Sequence, residues 1–423
     1  MRCKLNYPWT WLSLFLLIVL LTGCSDPTEH QPIRVGVLHS LSGTMAFSET
    51  DVVDASLLAI EQINARGGVL GRPLEPLVRD GASDWGRFAS VAEELIVNDE
   101  VAVVFGCWTS ACRKTVLPVF ERHNHLLFYP VQYEGLESSR NIVYTGAAPN
   151  QQIMPAVKWA MDHLGSRFLL VGSDYVFPRS ANRIMIDQIQ SLRGQVLGEF
   201  YVLLGSEDVD AAVDAIVETQ PDVILNTLNG DSNVAFFQRL RERGITPDRI
   251  PTISFSIAET ELLAMGSASF VGDFAAWNYF QSVDTAANQA FVAAFQARFG
   301  ADRVINDPME AAFIGVHLWA AAAELAGSTS PQAVRNSLGS LSLNAPHGPV
   351  SIDPVSQHLW KSVRIGQIQA DGQFEIVWET PKPVRPLPFP VYRSVPEWQQ
   401  FLDQMQAGWN GQWAKPGHPN EAP

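Results

Sequence analysis

The sequence predicts an α/β protein of two lobes, each a mostly parallel sheet flanked by helices. Three observations carry that prediction. Short apolar runs alternate with amphipathic helical patterns, the arrangement of parallel strands joined by crossover helices. The runs are too many for one compact sheet. A chain of 423 residues with 47% hydrophobic and 17% charged side chains can also build substantial cores, which excludes a mostly disordered protein.

Taken in order, Arg34-Val35-Gly36-Val37-Leu38 reads as a buried strand, followed by a Ser/Gly loop from Ser40 to Gly43. Val52, Ala55, Ala59, Ile60 and Ile63 share one helical face, which Gly67-Gly68 ends. The alternation continues with a strand over 101–105, a helix over 110–122 and a strand over 126–129. A second series follows: helix 151–164, strand 168–172, helix 179–192, strand 196–203, helix 208–219, strand 222–226, helix 233–243 and strand 252–254. After about residue 280 the rhythm changes to long helical patterns over 285–299 and 308–326, then β-like segments at 350–352, 363–369 and 374–378. Nine of the 27 prolines fall within 381–423, which predicts an extended surface segment there instead of regular helix or central strand.

The N-terminus reads as an address. Arg2 and Lys4 precede an uncharged, largely apolar stretch from Trp9 to Thr22, too short for a membrane span and suited to a signal peptide. Leu21-Thr22-Gly23-Cys24 resembles the lipobox of bacterial lipoproteins. By that resemblance residues 1–23 are removed, Cys24 is the lipidated first residue, and 24–32 form a tether. Net charge is −15, and −17 without the signal, with no basic cluster, so nucleic acid is excluded as a partner. Four cysteines exclude a disulfide-built scaffold. The C-x4-C spacing of Cys107 and Cys112 permits a small disulfide loop or two buried thiols, and the reading favours the thiols. No further ligands accompany them, so no metal site is expected.

Catalytic signatures are missing: there is no G-x-x-x-x-G-K-[ST], H-E-x-x-H, C-x-x-C or G-x-S-x-G. Arg66-Gly67-Gly68-Val69-Leu70-Gly71 follows a helix, the wrong context for a dinucleotide loop. His123 and His125 lack companions for a site and read as surface or packing residues. Two lobes without catalytic machinery predict a cleft that binds and closes, with no enzyme activity and no cofactor.

Several segments resemble a known family. Ile33 to Leu38, Leu41-Ser42-Gly43 and Ala59 to Gly68 resemble the start of type I periplasmic binding proteins, the receptors of branched-chain amino acid transporters and their relatives. Gly106-Cys107-Trp108-Thr109-Ser110 with Arg113-Lys114, Phe128 to Gly135, Tyr144 to Gln152, Gly172 to Arg179 and Asn226 to Asn233 resemble the urea and short-chain amide branch. So do Ala275 to Phe280, Asn306 to Ala312 and Phe374 to Thr380. The resemblance covers about 33–380 and extends to the amide sensor that controls aliphatic amidase expression. Cys112 departs from the small residue of the pattern. It implies a type I fold with a hinged cleft: lobe one from 33–149 and 282–347, lobe two from 150–281 and 348–390, and a Pro-rich tail from 391–423.

The resemblance further implies a lipid-anchored periplasmic receptor delivering urea or a short-chain amide to the permease and ATPase of an inner-membrane ABC transporter. The alternatives are a periplasmic amide sensor partnering a membrane signalling protein, and a receptor of the branched-chain amino acid type. Urea is planar and neutral, so its site needs acceptors for two NH2 groups, a donor for the carbonyl, and flat walls. Trp108 and Phe177 supply faces; Thr109, Ser110, Tyr129, Tyr133 and Tyr175 supply hydroxyls; Gln132 and Glu134 supply acceptors. The resemblance places Asp231 and Trp277 in loops by the cleft. Each has a structural alternative: Glu134 pairing with Arg113, Ser110 capping its helix, Tyr133 packing its ring, Trp277 and Phe177 serving as core aromatics.

Overall fold

The computed structural model describes residues 31–417. Its first sheet holds β1 (Ile33–His39), β2 (Leu74–Asp80), β3 (Val104–Gly106), β4 (Leu127–Tyr129) and β5 (Ile142–Tyr144), all parallel, in the order β2-β1-β3-β4-β5. Helices α1 (Ala46–Ala65), α2 (Trp85–Val97) and α3 (Ser110–Arg122) connect them. The apolar runs of β1, β3, β4 and β5 are buried, as strands covered on both faces must be.

The second lobe repeats the scheme. After α4 (Ile153–His163) come β6 (Arg167–Ser173), α5 (Val176–Ser191), β7 (Gln195–Val202), α6 (Asp210–Thr219) and β8 (Val223–Thr227). They are followed by α7 (Ser232–Glu242), β9 (Thr252–Ser254), α8 (Glu259–Met265) and β10 (Phe274–Trp277). The chain then returns to the first lobe as α9 (Ala286–Phe299), α10 (Asp307–Ala326) and α11 (Pro331–Leu338). The side chains of α10 from Asp307 to Val316 are all buried, which marks a core helix despite its length and apolar composition. Asn306 caps its start by accepting from the Met309 amide, and Gly327, with φ of 61°, ends it.

Strands β11 (Ser342–Ala345), β12 (Gly348–Ile352) and β13 (Leu359–Trp360) make a small antiparallel sheet. His358 bridges to Tyr144 beside it, so residues 342–360 lie against the first sheet, although the sequence reading assigns 348–390 to lobe two. The crossing back falls at 361–363. Strands β14 (Arg364–Ile368) and β15 (Phe374–Glu379) then add antiparallel to β10, giving the order β15-β14-β10-β9-β8-β6-β7. Asn278 ties the three crossings together: its side-chain amide donates to the carbonyls of Gln151 and Ser362 from its own place in the second crossing.

The C-terminal region corrects the sequence reading. Residues 395–408 form a helix, α12 (Val395–Gly408), with Trp398 and Leu402 buried. Its one proline, Pro396, stands in the first turn, where a missing N–H costs nothing, and Ser394 with Glu397 completes a capping box. Most of the prolines precede the helix, and composition averaged over the segment hides it. The expected lipid attachment at Cys24 lies outside the described residues.

Candidate functional site

The loops at the C-terminal ends of β3 and β4 carry most of the predicted site. Gly106 ends β3 with φ of 151°, and a Cβ there would stand 2.1 Å from the Leu38 carbonyl, so glycine is required where the chain turns into the loop. Thr109, not Ser110, caps α3: its hydroxyl accepts from the Cys112 amide at 3.0 Å and from Trp85 Nε1 at 3.2 Å. Cys107 and Cys112 are joined in a disulfide, which corrects the expectation of free thiols. The turn that begins α3 folds their side chains together, which the linear spacing leaves open.

Ser110 is thereby free for another role. Its hydroxyl donates to Glu134 and accepts from Arg113 Nη1 at 2.9 Å. Arg113 also donates through Nη2 to Glu134 and through Nε to Glu137, both at 2.9 Å, and Lys114 Nζ reaches Glu137 at 3.1 Å. Two cations meet two carboxylates, so the network is neutral as a whole. Burial pushes the Glu137 carboxyl up, but the Arg113 and Lys114 charges outweigh it and hold it at about 2. Burial likewise opposes the charge on Arg113, and Glu137 and Glu134 keep the guanidinium protonated.

Aromatic rings wall this network. The Arg113 guanidinium lies 4.9 Å from the Tyr129 ring centre and 4.4 Å from that of Tyr133. The Tyr129 hydroxyl donates to the Trp108 carbonyl and lies beside Arg113 and Ser110. Tyr133 packs against Tyr144 and His358, and its hydroxyl donates to His358 Nε2 with the Glu137 carbonyl also at 3.0 Å. Burial holds His358 at about 4, so it is a neutral acceptor at that atom while Nδ1 donates to the Ser356 carbonyl.

From the second lobe, Tyr175 precedes α5 and approaches the same network. It is fully buried, hydrogen-bonded to Asn229, and close enough to Tyr129, Glu134 and Arg113 for their charges to act on its ionisation. Burial raises its hydroxyl well above the usual range, so it stays protonated and can donate. Phe177 stands behind it with ring centres 6.3 Å apart. Gln132 crosses between lobes by donating to the Phe255 carbonyl at 2.9 Å, which leaves its buried Oε1 without a partner.

Two predicted residues are not brought into this cluster. Trp277 lies on β10, donates from Nε1 to the Ile257 carbonyl at 2.8 Å, and belongs to the core of the second lobe. Asp231 is exposed at the start of α7 and makes no side-chain capping bond. His123 contacts Glu93 and His125 contacts the Val101 carbonyl, both at the far end of α3, roughly 20 Å from Ser110 by helix rise. Among the described residues no group of three or more His, Cys, Asp or Glu is placed to hold a metal ion. Sequence reasoning passed over Glu137, Asn229 and the central place of Arg113. The i, i+3 spacing of Ser110 and Arg113, which puts both on one face of α3, was a usable signal for the last.

Fold and site define a two-lobed α/β binding protein whose polar groups converge between the lobes. The sequence matches the periplasmic binding protein domain over residues 33–395, and the chain belongs to that family. It is a periplasmic solute-binding protein, not an enzyme. Homolog 6 of the Leu/Ile/Val-binding protein from Brucella melitensis is 21% identical over 347 residues, 79% of this chain and 87% of that protein. A limonene hydroxylase of Geobacillus stearothermophilus is 37% identical over 125 residues, but the match spans only 23% of that protein. Among solved structures, a solute-binding protein of R. palustris in complex with 4-hydroxybenzoate superposes with a TM-score of 0.76 at 22% identity, covering 84% of this chain and 98% of that one. The branched-chain amino acid transporter binding protein of Streptococcus pneumoniae in complex with isoleucine gives 0.73 at 18% identity, covering 84% and 100%. At these identities the likeness concerns the fold.

Proposed function

We propose that this protein is a lipid-anchored periplasmic receptor that binds urea or a short-chain amide between its lobes and delivers it to the permease and ATPase of an ABC transporter. The observation that carries the reading is the internal neutrality of the buried network around Arg113. All three nitrogens of Arg113 already donate to Ser110, Glu134 or Glu137, so no free cation awaits a carboxylate ligand. What remains is lone pairs on hydroxyls whose protons already serve protein acceptors, the unpartnered Gln132 Oε1 and aromatic walls, which suit a small neutral plane with two NH2 groups. Anchoring through Cys24 rests on the lipobox-like run, and Cys24→Ala should abolish partition with membranes.

A second reading, a receptor for branched-chain amino acids, is favoured by the Leu/Ile/Val-binding relatives. Calorimetry with urea, formamide, acetamide, leucine, isoleucine and 4-hydroxybenzoate decides between them. The proposal expects heat of binding from urea or an amide and none from the acids. Saturable leucine binding without urea binding would overturn it.

A further inference from the structure

We propose that residues 409–415 form a clasp that positions Tyr175 and holds the lobes shut over the site. The proposal rests on the reading of Tyr175 as a group that touches the ligand. The segment lies beyond residue 395, where the family match ends. It is delivered by α12, which packs on α5 of the second lobe, with Arg393 just before it donating to Asp187 of α5 at 2.6 Å.

Past α12 the chain doubles back along the start of α5. The Trp413 carbonyl accepts from the Val176 amide at 3.0 Å, Ala414 bridges antiparallel to Tyr175, and the Lys415 amide donates to the Asp174 carbonyl at 3.1 Å. Lys415 Nζ adds an ion pair with Asp174 at 3.3 Å. The Val176 amide is one of the first donors of α5, which have no partner inside the helix, so the clasp supplies one from outside. Tyr175 is held between these two backbone bonds.

The same segment reaches the other lobe. The Trp413 indole lies over Lys114 Nζ with 4.8 Å to the ring centre, and Lys114 belongs to α3 and pairs with Glu137. The backbone bonds of the clasp lie wholly within lobe two and survive opening. The Trp413–Lys114 contact crosses the cleft and exists only when the lobes are closed, so it favours the closed state. The indole also shields the Lys114–Glu137 pair from water, which strengthens the network behind Ser110.

The test uses the mature full-length protein, Trp413→Ala, Trp413→Phe and a truncation after Gly408, with melting curves confirming folding. Urea release is followed by tryptophan fluorescence, opening by solution scattering without ligand, and clasp docking by hydrogen exchange at the Val176 amide. Truncation should expose that amide and speed release roughly five- to fiftyfold. Trp413→Ala should speed release while Val176 stays protected, because its partner is a backbone carbonyl. Trp413→Phe keeps an aromatic face over Lys114 and should release urea more slowly than Trp413→Ala. Unchanged scattering and unchanged release in both Trp413→Ala and the truncation would overturn the clasp. If urea fails to bind the parent, the proposed ligand falls, and scattering and exchange still decide the clasp: a truncated chain as closed as the parent overturns it. If truncation prevents folding, Trp413→Ala alone decides.

Discussion

Arg113 donates to Ser110, Glu134 and Glu137 at once and lies between two tyrosine rings, so its neighbours are held in place by one buried cation. Ser110 is the member of that set with least structural duty, since Thr109 caps the helix. Ser110→Ala should weaken urea or amide binding roughly five- to a hundredfold by leaving a polar partner unpaired, read by calorimetry with the fold intact. Tyr133→Phe should act otherwise. Its hydroxyl serves His358 and Glu137, so the change should lower stability by about 1–2 kcal/mol in denaturant titration and leave affinity near the parent. Glu259, at the start of α8, offers a pH test. Burial raises its carboxyl to about 8; Oε1 accepts from the Gln281 amide and Oε2 has no partner. A raised acid favours the folded state below the unfolded value of 4.5, and that stability is lost as pH rises through 8. Glu259→Gln should therefore raise the melting temperature at pH 8 relative to the parent and change it little at pH 4. Equal shifts at both would refute the assignment.

At the scale of elements, the Cys107–Cys112 disulfide brackets Trp108, Thr109, Ser110 and Ala111, so it staples the loop that enters α3. Closing so short a loop is worth about 2 kcal/mol in the chain-entropy account. The double variant Cys107→Ser, Cys112→Ser should lose about that much in denaturant unfolding. Unreduced protein should yield no free thiol from these two positions after denaturation in a thiol assay. The loop from Gln132 onward is pinned from the other side: Gly135, with φ of 70°, brings the chain so near the Pro388 carbonyl that a Cβ would stand 2.1 Å from it. The proline-rich stretch before α12 therefore has a structural task, covering the site loop of the first lobe.

For the whole molecule, the proposed function makes closure of the two lobes the motion to measure. Three crossings, joined through Asn278, link the lobes, and the donations of Gln132 to the Phe255 carbonyl, Ser48 to Glu261 and Asn306 to Thr260 are among the hydrogen bonds between them. A ligand that binds only the closed form stabilises it by mass action, about 2.7 kcal/mol at a hundredfold excess over Kd. The melting temperature should rise with ligand concentration, and the radius of gyration should fall on saturation. Identical scattering with and without saturating ligand would count against hinge closure.

The sequence by itself determined the two-series α/β architecture, because buried parallel strands and their crossover helices leave local signatures: apolar runs, helical periodicity and glycine stops. It also singled out the loops at 106–110 and 129–134 as candidates, through a family resemblance and through hydroxyls and aromatics standing at strand ends. Only the tertiary structure decided which side chains face one another. Trp277 and Trp108 are both buried in apolar cores, yet one is fixed in the second lobe by strand β10 and the other sits in the first lobe, in the loop between β3 and α3. Glu134 and Arg113 lie on different elements, and no local rule shows that their pairing leaves the site neutral. The cysteines close because α3 begins between them, and α12 forms because its one proline falls in the first turn. Local patterns record whether a residue is buried, and the partners of a buried polar group are chosen by chain segments far away.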